Sequence, residues 1–170
     1  LPDPRRWESG FADLRKRKVR GYYHGSPVHI VPLGAKKIFE GQARFSQLQY
    51  LHFASGGRFG WDEFRNMGMF GEVYVDAFQK FLTWAKLDWP SNVLSPTVSL
   101  FLLVCDLAIN PSDGYPFDLF HFESFIESND PSVRFMCFAS HIAKKPELKT
   151  AIRNHSRNEY LEVASELCSC

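Results

Sequence analysis

Glu40 is the residue from which chemistry is expected first. It lies in the stretch 33–55, LGAKKIFEGQARFSQLQYLHFAS, where Glu40, Arg44 and Gln47 fall on one stripe of a helix turning about 100° per residue. Ile38, Phe39, Phe45, Leu48, Tyr50, Leu51 and Phe53 distribute apolar side chains over most of the remaining circumference. A helix apolar nearly all round is enclosed by protein, and a carboxylate inside such an enclosure must be paired or coordinated. Two readings follow. Either Arg44, one turn on, neutralises Glu40, or Glu40 faces a cleft as a general base or a ligand to a divalent metal, beside Gln47 or a histidine. His24 and His29 are the candidate metal partners, and His52 is a third imidazole within reach by sequence.

A second carboxylate, Asp106, interrupts the apolar run 97–109, TVSLFLLVCDLAI. Its expected duty is structural, pairing with Arg44, Arg65 or Arg134 or accepting backbone N–H groups; the alternative is catalytic. Arg134 and His141 are seven residues apart and share an azimuth on the segment 131–143, so they line a cleft together or form that helix's exposed edge. Glu72 and Asp76 sit on the polar side of the amphipathic segment 68–87, where solvation is expected rather than metal binding. Arg15, Lys16, Arg17 and Lys18 head a basic N-terminal run that offers either a phosphate or nucleic-acid contact or a solvated helix end.

Other chemistries lack their residues. There is no glycine-rich phosphate loop and no Gly-x-Ser-x-Gly elbow, and no serine or cysteine is visibly flanked by a base. The four cysteines do not form a disulfide framework: Cys105 and Cys137 fall inside apolar helical patterns, and Cys168 and Cys170 lack a second pair. This usage points to a reducing, cytoplasmic compartment. Two four-residue resemblances can be placed. Tyr23-His24-Gly25-Ser26 resembles the strand motif by which ADP-ribosyltransferases hold the nicotinamide ribose, which would make His24 the reading residue. Glu40-Gly41-Gln42-Ala43 resembles the helix that supplies the third zinc ligand in some zinc peptidases, with Glu40 in that role; the His-Glu-x-x-His helix those enzymes need is absent from this sequence.

These residues need elements to hold them, and the composition says which. With 45% hydrophobic and 23% charged residues in 170, the chain buries a real core, and 16 Phe, 4 Trp and 6 Tyr make that core aromatic. A net charge of +1 gives no whole-molecule field for a polyanionic partner. No apolar run reaches the length of a membrane span. Residues 7–17 predict a short basic helix, and 18–31 a small β-hairpin about Gly25-Ser26-Pro27. Helices follow at 33–55, 68–87, 97–109, 117–128, 131–143, 146–153 and 158–168, with Ser95-Pro96 and Asp130-Pro131 as start signals. The expected architecture is mainly α, a multi-helix orthogonal or bundle-like domain over 32–170 around one buried central helix, preceded by a basic segment and hairpin at 1–31. The chain starts without Met and stops after a helical pattern, as a piece of a longer protein would. The leading functional expectation is an interaction or scaffolding domain with a protein partner. A metal-dependent enzyme centred on Glu40 and nucleic-acid binding through the basic N-terminus are the alternatives.

Overall fold

The computed structural model describes residues 5–27, 31–111 and 124–169. In order they form α1 (Arg5–Lys16), α2 (Ala35–Ala54), α3 (Trp61–Asn66), α4 (Glu72–Ala85), α5 (Pro96–Ile109), α6 (Phe125–Asn129), α7 (Pro131–Lys144), a 3₁₀ turn (Pro146–Thr150) and α8 (Arg157–Cys168). The protein is mainly helical, as its periodicity requires.

The Asp130-Pro131 start signal acts where it stands. Asp130 accepts from the Ser132 and Val133 amides at 2.8 and 2.9 Å, and Pro131 enters the first turn of α7. Ser156 and Glu159 make a reciprocal capping box that opens α8. Pro96 occupies the first turn of α5, but the Ser95 side chain does not make the expected cap: its buried hydroxyl has no hydrogen-bond partner among the described residues.

α2 and α7 each pack against both α4 and α5, and the side chains of these four helices fill the space between them. The filling is aromatic: Phe45 of α2, Phe78 and Phe81 of α4, Phe101 of α5 and Phe135 of α7 are all fully buried. The 3₁₀ turn and α8 close over α5 and α7, contributing Leu148, Val163 and Leu167. α2 reaches α4 closely because Gly41 has no side chain. A Cβ there would lie 3.2 Å from the Ala77 Cβ and 3.3 Å from the Phe101 ring.

Two expectations are corrected. No strand occurs among the described residues, and 18–27 form successive turns: the Tyr22 amide donates to Val19, the Ser26 amide to Tyr23, and the Gly21 amide to the Ser26 hydroxyl. Lys18, Gly21 and Gly25 all take positive φ, which curls a segment whose β-formers alone suggested extension. Residues 28–30, the rest of the proposed hairpin, lie outside the described residues, as does most of the expected helix 117–128. The second correction concerns α2, which is not enclosed. It buries one stripe, Ile38, Gly41, Phe45 and Leu48, and leaves Phe39, Tyr50 and Phe53 more than half exposed.

Gly41 gives a direct test of the α2–α4 fit. Gly41→Val should lower unfolding stability by about 1–3 kcal/mol through overpacking, read as a reduced urea midpoint at unchanged m. A variant as stable as the parent would contradict this close approach.

Candidate functional site

The polar stripe of α2 does not lie in a sealed interior. Glu40 and Arg44 are half-buried and Gln47 is exposed. No ion pair joins Glu40 to Arg44 among the described residues; the Arg44 guanidinium instead lies 4.0 Å over the Tyr74 ring, at the start of α4. The neighbouring helix offers a π-face where the sequence suggested a carboxylate, Glu40 or Asp106. Gln49 donates to the Val93 carbonyl at 3.0 Å, and Lys37 pairs with Asp76 at 2.8 Å, so Asp76 ties α4 to α2 rather than standing solvated.

The other candidates are spread over the molecule. Asp106 is exposed on α5, where its side chain accepts from the Asn110 amide group at 3.1 Å, so it closes the helix end rather than sitting in the apolar interior. Burial, assisted by the Asp106 charge, pushes the neighbouring Cys105 thiol well up, which removes it as a nucleophile. His24 is exposed in the turns after α1, His29 lies outside the described residues, and the His52 Nδ1–H donates to the Phe59 carbonyl at 2.7 Å. Among the described residues no group of three or more His, Cys, Asp or Glu is placed to hold a metal ion. In the basic run, Arg17 pairs with Asp13 at 2.8 Å and Arg15 donates to the Phe11 carbonyl, both at the surface.

Arg134 and His141 are only partly exposed, and each joins elements. Arg134 donates to the Leu107 carbonyl at 2.6 Å and the Ser128 carbonyl at 2.8 Å, satisfying acceptors at the ends of α5 and α6. His141 Nε2 lies 3.4 Å from Glu166 of α8, which also accepts from Lys145. A serine–histidine pair invisible in the sequence does form: Ser99 Oγ and His155 Nδ1 are 3.0 Å apart. Ser99 is fully buried, so it cannot meet a substrate, and the bond instead fastens the turn before α8 to α5.

Two surface features remain. An open cleft of about 470 Å³ is walled by Phe70, Val75 and Trp89 and rimmed by Arg65, Glu72 and Gln79. Arg65 is engaged by Asp62 at 2.8 Å, and the rim mixes both signs of charge, so no single ligand charge is favoured. The outer side of α2 is more orderly. Its exposed residues are Lys36, Phe39, Ala43, Ser46, Gln47, Tyr50, Phe53 and Ala54. Within that set, 39, 43, 46, 50 and 53 alternate by four and three, the repeat with which one helix presents a seam to another. The spacing was present in the sequence, but it was hidden there because apolar residues also occupy the inner face. Comparison of the chain with protein families, curated proteins and solved structures finds no match. No helix among the described residues is long and apolar enough to cross a membrane.

The Glu166 cluster sets an acid limit on the docking of α8. Hydrogen bonds from Lys145, then His141, hold the Glu166 carboxyl below its ordinary value of 4.5. A depressed carboxylate adds stability above that ordinary value and loses it as pH falls through the lower folded one. The melting temperature should therefore fall on acidification below pH 4.5. Glu166→Gln should flatten part of that slope, with Glu63 and Glu159, held low by helix-cap hydrogen bonds, supplying part of what remains. An unchanged slope in Glu166→Gln would exclude the cluster as its source.

Proposed function

We propose that this chain is a helical protein-interaction domain whose contact surface is the outer side of α2. The observation that carries the reading is the exposure of three large aromatic side chains on one seam: Phe39 at 52%, Tyr50 at 70% and Phe53 at 67%. An aromatic side chain presents roughly 200 Å², so the three together leave on the order of 400 Å² in water, within the roughly 300–600 Å² of a typical monomer's largest apolar patch, which is often functional. Lys36 is the one charged residue among the exposed positions of α2, and charge depletion is what distinguishes the centre of an interface from ordinary surface. The seam is helical and spaced in fours and threes, so its natural occupant is another amphipathic helix.

The test separates binding from folding. Replacing Phe39, Tyr50 and Phe53 together by Ser should change unfolding stability by less than about 1 kcal/mol per site, since the groups contact little of the core. In native extract the parent should migrate in an assembly larger than its own 19.6 kDa, and the triple variant at its own mass. Loss of several kcal/mol would show that the aromatics serve the fold. Unchanged migration would show that α2 is not the contact surface.

A further inference from the structure

We infer that the occupant of this seam is the same seam on a second copy of the chain, the two α2 helices running antiparallel about a two-fold axis beside Ser46. The inference rests on the interaction reading and names its partner. Along the seam the order is Phe39, Ala43, Ser46, Tyr50, Phe53. Reversed about Ser46, Tyr50 of one copy falls opposite Ala43 of the other, Phe39 opposite Phe53, and Ser46 opposite itself. Tyr50 thereby meets Ala43 on each side of the axis, with a Phe39–Phe53 pair beyond it at each end, and the smallest contact lies on the axis, where the helices can approach to about 8 Å. A two-fold contact must be complementary to itself, and this order is.

The parallel alternative fails on the same residues. It sets Tyr50 on Tyr50, with no small residue opposite either ring, and leaves Ala43 facing Ala43 across a gap. It also brings Lys36 against Lys36. In the antiparallel pair Lys36 lies toward the C-terminal end of the partner helix, the negative end of its dipole. Area sets the expected strength. Exposed aromatic surface of roughly 400 Å² per copy, widened by Ala43, Ser46 and Gln47, brings the pair to about the 1,000 Å² at which specific association begins. A reversible dimer is expected, with Kd on the order of 10 μM.

The purified 170-residue chain, taken from about 1 to about 300 μM in an analytical ultracentrifuge, should move from 19.6 kDa toward twice that mass. Ser46→Glu sets two carboxylates against each other on the axis and should weaken association at least about ten-fold. Ser46 is exposed, and circular dichroism verifies that the variant keeps its helices. For orientation, Cys137, Cys168 and Cys170 are changed to Ser and a short bis-maleimide is used. Ser46→Cys should then cross-link to itself, whereas Ala43→Cys should not. Self-cross-linking of Ala43→Cys, or a dimer indifferent to Ser46→Glu, overturns the proposed pairing. A chain that stays monomeric at all concentrations overturns it as well. In that case a native assembly still lost in the Phe39, Tyr50 and Phe53 triple variant leaves the interaction reading standing with another partner. If that variant alters nothing, both fall.

Discussion

The fold depends on one ring. Phe101, in the middle of α5, lies 5.1 Å from the Phe45 ring of α2, 4.9 and 5.6 Å from Phe78 and Phe81 of α4, and 6.2 Å from Phe135 of α7. Three of these four contacts are edge-on, the arrangement in which the positive edge of one ring meets the negative face of another. Each such pair adds roughly 0.5–1.5 kcal/mol beyond the burial of its area. Because the partners come from different helices, moving any one helix disturbs contacts made by the others. This is why an aromatic core holds a defined arrangement where an all-leucine one would tolerate several.

That constraint also decides which way α2 faces. The helix has enough apolar residues to bury more than one side, but Gly41 is the position at which it can approach the Phe101 ring, the nearest ring atom lying 3.3 Å from where a Cβ would be. Choosing Gly41 for the inner side brings Ile38, Phe45 and Leu48 with it by helical spacing. It equally forces Phe39, Tyr50 and Phe53 outward. The exposed seam is thus the other half of the same choice that packs the core, and no rotation of α2 buries both.

The sequence made this structure legible unevenly, for reasons that differ from element to element. α4, α5 and α7 were readable because each has one apolar side or a run too greasy to be anything but interior, and because Pro96 and Asp130-Pro131 mark the starts of α5 and α7. α2 was readable as a helix and misread as an enclosed one, since counting apolar residues around a circumference says nothing about how many neighbours are available to cover them. The turns at 18–27 escaped because propensity favours extension at Val19, Tyr22 and Tyr23, while positive φ at Lys18, Gly21 and Gly25 is set by local backbone geometry. Ser99 with His155, and Glu166 with His141 and Lys145, join residues far apart in the chain, and no spacing rule reaches across such distances.

The residues first singled out for chemistry acquire a different meaning once α2 is known to have two sides. Glu40, Arg44 and Gln47 flank the exposed seam along one border, and Gln42 and Gln49 flank it along the other. Polar groups in that position need no buried partner, because water reaches them. Arg44 spreads over Tyr74 and Gln49 reaches the Val93 carbonyl, so part of this border is already held in place by the protein's own contacts. A border fixed in advance loses less side-chain entropy on association than a mobile one, and the margin matters when the apolar area is modest. In the proposed pairing, the polarity that suggested a buried active centre becomes the rim of a surface: Glu40, Arg44 and Gln47 along one edge, Gln42 and Gln49 along the other, aromatic residues between them, and small residues where the partner's backbone would come close.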